Sequence, residues 1–426
     1  MENPITRVFS LYKGLSRSIY VLFGAHIVNS VGSFVYPFLT MFLTQRLGMA
    51  EGLAGLLITL SGLSFIPGSL IGGKLADQIG RKKVLVTAQL LAAACFIPCG
   101  FLGESMAIPV LIILADFFHG FSHPCYQAMA TDLTVPENRQ ASFSLLYLGH
   151  NLGFAVGPLI AGFLYTHYTP LLFWGDATTT ILAVLAIIAF VPETLPSSKT
   201  VTASLETEGD GKSGGPAGIE DGEKAEAGSL FTALFKRPFL LAFTLILPAV
   251  TFVYANMSFS LPLFSIETFA DRGPVIFGSL MTTNALVVVF LTPVIIALTK
   301  QWKPILNVSL AALLYAVGFG MLYFVHTIVM LVVSAVIWTV GEILFATNIE
   351  VYIANHTPIS HRGRFNAVLP LVIECGYFTA PPLLGAFMEY NPVRMVWPLA
   401  FFLACAACLA LLILYFVERR YRRKAV

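Results

Sequence analysis

Gly72-Gly73-Lys74-Leu75-Ala76-Asp77-Gln78-Ile79-Gly80-Arg81-Lys82-Lys83 decides how the rest of this chain is read. The stretch follows the second long apolar run and precedes the third. Gly80 can take a left-handed conformation and end a helix. The basic cluster holds the turn on the cytoplasmic side of a membrane. Asp77 and Arg81 lie four apart and share a face if the helix continues. The plain alternative is an ordinary basic loop, which needs neither the glycines nor the acid.

Composition supplies the membrane. Charged residues make up 11% of the chain and hydrophobic residues 57%, whereas a soluble protein carries about 25% charge. Mean hydropathy is strongly positive. A spanning helix needs about 20 apolar residues. Twelve such runs begin near Ile19, Leu53, Val84, Ile108, Phe143, Leu171, Leu240, Leu280, Ile305, Ile328, Phe365 and Val396. They are continuous, unlike the short alternating segments of a barrel.

With an even number of spans and the N-terminus inside, only Arg46, Arg272 and Arg394 of the 25 Lys and Arg fall on the outer side. The positive-inside rule then places both termini in the cytoplasm, and a multi-pass protein of the cell membrane is expected. The first apolar run is too long for a cleavable signal and lacks a small-residue cleavage site. Cys95, Cys99, Cys125, Cys375, Cys405 and Cys408 all fall inside spans, so no disulfide framework is expected. Cys95 and Cys99 read as small packing residues.

The opening stretch resembles the signature loop of the major facilitator superfamily, G-x-L-A-D-x-x-G-R-[RK]. That resemblance implies an all-α integral membrane fold, twelve helices in two pseudo-symmetric six-helix bundles. Residues 1–195 would form the first bundle and residues 230–426 the second. Between them, residues 196–229 are rich in Gly, Ser, Glu and Lys and cannot bury a core, so a disordered cytoplasmic linker is expected. Its Gly211-Lys212-Ser213 lacks the upstream glycine, the strand and the helix of a phosphate-binding loop. Nucleotide binding and an ATP-driven pump are rejected on that ground.

The halves repeat. An offset of 223 residues carries Arg139 to Arg362, Gly153 to Gly376, Pro158 to Pro381 and Gly162 to Gly385. Parallel half-repeats are what the resemblance implies. In the second half the signature loop has decayed to Thr299-Lys300-Gln301-Trp302-Lys303, without its acid.

The fifth span, Gly149 to Gly162, is similar to the antiporter motif G-x-x-x-G-P-x-x-G-G of drug:proton antiporters, through Gly153, Gly157, Pro158 and Gly162, with Ala161 for one glycine. Glycines at spacing four let helices pack backbone to backbone, and Pro158 removes a donor and bends the helix. Simple helix packing is the alternative, and Gly68 and Gly72 are read that way.

Polar groups inside a membrane are costly and usually serve a pathway. Asp116, His119, His123 and Gln127 share a face of the fourth span, and His26, Asn29, Ser33 and Tyr36 recur at similar spacing in the first. His150 and Asn151 lie in the fifth span, Tyr254 and Asn256 in the seventh, Trp338 and Glu342 in the tenth, and Glu374 in the eleventh. The resemblance implies that the first, fourth, seventh and tenth spans line a central cavity. The 223 offset pairs His119 with Glu342 and Asn151 with Glu374. Histidine and buried carboxyl groups can both exchange protons. Glu342, His119, Asp116 and Glu374 are therefore the proton-coupling candidates, and the remaining polar positions are candidates for the substrate cavity. The histidines suggest a metal site less than a polar cavity lining.

Two positions depart from the family. Asp116 stands where its fourth span often carries an arginine, and the seventh span around Tyr254–Ser258 carries no acid. At the loop, the resemblance implies that Gly73, Asp77, Gly80, Arg81 and Asp132 gate the transporter. Arg81 would pair with Asp132, and Asp77 would cap the eleventh span near Arg364 and Phe365. The function expected is proton-coupled export of hydrophobic, in part cationic, small molecules. It needs no cofactor beyond the proton gradient, no metal and no nucleic acid, and a monomer in the lipid bilayer suffices. An exporter of a metabolite, metal chelate or lysolipid is the first alternative and a non-transporting sensor the second. No nucleophile constellation points to an enzyme.

Overall fold

The structure is a computed structural model that describes residues 12–195, 236–357 and 362–425. The linker and Gly211-Lys212-Ser213 lie outside these residues. Among the described residues the chain is helical, without strands. The spans are Arg17–Arg46, Glu51–Ile79, Arg81–Cys99, Ala107–Asp132, Pro136–His167 and Pro170–Phe190, then Pro238–Phe269, Gly273–Thr299, Pro304–Phe324, Ile328–His356, Arg362–Met388 and Val396–Ala425.

Local chemistry sets several of these ends. Ser16 accepts the Ile19 amide at the first span, and Thr327 accepts the Met330 amide at the tenth. Proline opens the fifth, sixth, seventh and ninth spans, where its missing N–H has no helical partner to lose.

Eleven continuous helical stretches are long and apolar enough to cross a membrane, the longest being Pro238–Thr299 with 62 residues. Straight, that helix would measure about 93 Å, roughly three times the hydrocarbon thickness. It is interrupted by 3-10 turns at Ala255–Met257 and Ala270–Arg272, and Ala270 has φ 48°. Beyond the second turn the chain folds back. A Cβ on Gly273 would lie 2.6 Å from the Ile266 Cα. This stretch is therefore two crossings, which brings the total to twelve.

The chain divides into two compact units, residues 1–48 with 60–214, and residues 49–59 with 215–426. The start of the second span groups with the second unit. Thr59 donates to the Phe378 carbonyl at 2.7 Å, the Gly52 amide donates to Glu389 at 3.1 Å, and Gly55 presses on the Pro381 carbonyl. Small residues allow this close approach.

Within the first unit, Gly149, Gly153 and Gly157 bring the fifth span onto the first. A Cβ on Gly153 would lie 2.7 Å from the Ile27 carbonyl, and one on Gly157 2.6 Å from the Val31 carbonyl. Gly68 and Gly72 meet Phe117 and Phe121 of the fourth span in the same way. In the second unit Gly376 presses on the Pro248 carbonyl, and Thr251 donates to the Ile373 carbonyl at 2.6 Å. Gly153 and Gly376, repeat counterparts, thus serve equivalent contacts. Large apolar side chains such as Leu70, Phe290 and Leu298 face outward, as lipid contact requires.

Candidate transport cavities and gating loop

A cavity of about 670 Å³ opens in the first unit. His26, Asn29, His119, His123, Gln127 and His150 all line it, joined by Gln89, Ser122, Tyr126, Tyr147 and Thr180. His26 Nδ1 and the Tyr126 hydroxyl are 2.8 Å apart, and that hydroxyl donates to the Leu22 carbonyl. Ser30 holds His150 Nδ1 at 3.0 Å, and the two imidazoles sit edge to face at 5.4 Å. Thr180 donates to Asn29 at 3.0 Å.

Three expected lining residues of the first unit, and the proton-coupling candidate Asp116, lie elsewhere. The first span breaks between Val31 and Val35, so the spacing from His26 does not carry through. Ser33 falls in the break, and Tyr36 turns its buried hydroxyl toward Asp116. Asp116 accepts from the Ser61 hydroxyl of the second span and does not line the cavity. Asn151 donates to the Tyr147 carbonyl of its own helix at 2.9 Å.

The second unit holds a cavity of about 440 Å³, lined by Tyr254, Tyr315, Glu342, Glu350, Glu374 and Tyr377 among others. Asn284 of the eighth span donates to Glu342 Oε2 at 2.7 Å and to Thr339 at 3.0 Å. The Tyr254 hydroxyl lies beside the same carboxyl group. The rings of Tyr254 and Tyr315 stack at 5.6 Å. Among the described residues no lysine or arginine lines either cavity, and the donors found at Glu342 are neutral. Two expected lining residues belong to the core here. Trp338 is fully buried and stacks on Phe319 at 5.6 Å. Asn256 is fully buried and donates to the Val253 carbonyl at 3.0 Å. Both lie on helix faces that the linear pattern does not distinguish from the cavity face.

At the loop, Gly80 has φ 116°, and the space a Cβ would take is filled by the Glu193 carboxylate. Glu193 accepts the amides of Arg81, Lys82 and Lys83 at 2.8, 3.2 and 3.4 Å. A residue from beyond the sixth span thereby caps the N-terminus of the third, where a carboxylate is favoured. Burial pushes the Glu193 pKa up, but the Lys82, Leu195, Thr194 and Lys83 amides outweigh it and hold the group below its ordinary range. Lys82 Nζ donates to the Val191 carbonyl at 2.6 Å. Arg81 forms an ion pair with Asp132, donates to the Ala128 carbonyl at 3.3 Å, and lies 3.9 Å from Asp77. The Asp77 side chain is 73% exposed. The side chains of Arg364 and Phe365 lie outside the described residues. Gly73 sits 3.7 Å from Pro124, measured from where its Cβ would be.

Sequence reading passed over Glu193, Tyr126, Asn284 and Asp176. Asp176 is 4% exposed, and its carboxylate takes the Phe34 and Val35 amides at the break in the first span. A lone charged residue in the sixth span was the available signal. Nothing in the local sequence ties Glu193 to the third span.

The model of the Major Facilitator Superfamily matches residues 21–314 and 272–426. The chain belongs to that superfamily: it is a transporter and not an enzyme. The MFS-type transporter YhjO of Bacillus subtilis is 26% identical over 82% of this chain and 80% of its own length. A Na(+), Li(+), K(+)/H(+) antiporter of Planococcus maritimus is 26% identical over 87% of this chain and 89% of its own. The multidrug resistance protein MdtH of Photorhabdus laumondii is 27% identical over 41% of this chain and 43% of its own. Among solved structures, a peptide transporter POT in complex with sulfate gives a TM-score of 0.75 at 18% identity, covering 96% of both chains. That likeness concerns the fold alone.

Proposed function

We propose that this transporter exports hydrophobic small molecules, cationic ones among them, in exchange for protons by alternating access. The observation that carries the reading is Glu342, an intramembrane carboxyl group on a cavity wall, held by Asn284 and Tyr254 with no lysine or arginine in the lining. Neutral donors can support both its charged and its protonated form, which a proton carrier requires. The tyrosines offer aromatic faces to a cationic or planar substrate. Glu374 of the same cavity and His119 of the first unit are the further proton-handling candidates. The Gly153–Pro158 motif and the similarity to MdtH support export. In this reading the chain works as a monomer in the cell membrane with both termini cytoplasmic.

The test is Glu342→Gln in proteoliposomes. The amide preserves size and cannot carry a proton, so efflux driven by a pH gradient should be abolished while substrate binding persists. Efflux at the wild-type rate rejects the reading. A second reading, exchange of monovalent cations for protons, is supported by the Planococcus relative and by two intramembrane acids, the half-buried Asp116 and the buried Asp176. Collapse of an imposed pH gradient by sodium, lithium or potassium salts without any drug, lost in Asp116→Asn, would favour it over drug export.

A further inference from the structure

The loop between the eighth and ninth spans is the decayed repeat of the signature loop. The 223 offset carries Asp77 to Lys300, Gln78 to Gln301 and Gly80 to Lys303. The acid has thus become a lysine, and the gating contacts of the first half have no counterpart here. A groove of about 600 Å³ instead begins at this loop. Gln301, Trp302 and Lys303 form its mouth. Leu306, Leu310 and Leu313, at spacings of four and three, share one face of the ninth span and make one wall. Cys408 and Leu412 of the twelfth span make the other.

The groove opens outward, since Trp302 is 51% and Leu313 43% exposed. Its interior asks for no polar partner: the only hydroxyl, Ser309, already donates to the Ile305 carbonyl at 2.7 Å. Charge is confined to the mouth and is of one sign. No acid lines the groove, and neither Lys300 nor Lys303 pairs with an acid among the described residues. The Lys303 ammonium lies 5.7 Å from the Tyr415 ring centroid, which keeps it over the rim. Trp302 beside the lysines suits the level of lipid headgroups.

We infer that this groove is a binding site for one anionic phospholipid of the surrounding leaflet, with its phosphate at Lys303 and an acyl chain along Leu306–Leu313. An apolar trough of this depth favours a chain over a free anion. The lysine at the mouth, with no acid beside it among the described lining residues, favours a negative headgroup over a zwitterionic one.

Full-length protein in detergent would be titrated with dioleoyl phosphatidylglycerol and with dioleoyl phosphatidylcholine, and bound lipid counted by native mass spectrometry. One phosphatidylglycerol should bind more tightly than phosphatidylcholine. Its affinity should fall about fivefold in Lys303→Ala. Leu310→Trp should fill the groove and displace both lipids with the lysines intact. If that variant does not fold, Leu313→Phe at a more exposed position takes its place. Equal affinities in the wild type, or phosphatidylglycerol retention unchanged by the lysine and groove variants, would overturn the inference. So would glycerol 1-phosphate competing as well as the lipid, or groove variants that change the oligomeric state and not the lipid count.

Discussion

Removing the Glu193 carboxylate should loosen the start of the third span without touching either cavity. In Glu193→Ala the amides of Arg81, Lys82 and Lys83 lose their acceptor. Gly80 has no side chain to replace it, and the N-terminus has no other side-chain cap. Loss of a cap costs about 1–2 kcal/mol, which corresponds to a roughly 5–30-fold rise in local opening. Hydrogen exchange of a peptide covering 80–86 reads this directly, as the ratio of variant to wild-type rates at one pH. Glu193→Gln keeps one acceptor oxygen and should show less than half the effect. The pH dependence has a definite sign. Glu193 titrates below its ordinary value of ~4.3 in the folded chain. Its contribution is therefore complete above that value and fades as pH falls through the lower folded-state value. The exchange ratio should stay constant from pH 7 to 5 and shrink toward 1 in stronger acid. Equal protection in wild type and Glu193→Ala at pH 7 would refute the capping argument.

Further outcomes follow from the same geometry. Gly376→Leu should destabilise the second unit by about 1–3 kcal/mol or more, because its side chain would meet the Pro248 carbonyl and Thr251; a thermal melt unchanged from wild type would count against that contact. Arg81→Ala should impair transport with ligand affinity close to normal, since the Asp132 pair lies at the loop and away from the cavity lining. Labelling of an outer-side cysteine, read beside substrate titration, checks it. His119→Ala should change the pH profile of transport more than the substrate range, if proton coupling runs through this imidazole. An unmoved profile with two chemically different substrates sinks that role.

Much of this was legible in the linear chain. Apolar run length and basic-residue distribution were enough for twelve spans and an expected orientation, because both follow from covalent order and from what a bilayer admits, and the resemblance of the Gly72–Lys83 stretch pointed to the superfamily. The glycines of the fifth span announced close helix packing, and Glu342 announced itself as an acid with no reason to be in hydrocarbon. Five expected lining residues and the proton-coupling candidate Asp116 could not be placed from helical spacing, for three physical reasons. A helix break at Gly32–Phe34 rotated Ser33 and Tyr36 off the His26 face. Asp116 turned to a neighbouring hydroxyl and Asn151 to its own helix. Trp338 and Asn256 sit on faces that tertiary packing buries.

The sequence alone determined which segments cross the membrane, since hydrophobicity, charge and small-residue spacing act locally and survive without neighbours, while the family rested on the resemblance of the Gly72–Lys83 stretch to a known signature. Only the tertiary structure decided which polar groups meet. Glu193 reaches the third span from 112 positions away from Arg81, and Asn284 reaches Glu342 from another helix. Such contacts are set by how helices pack side by side, a relation that the order of residues along one helix does not contain.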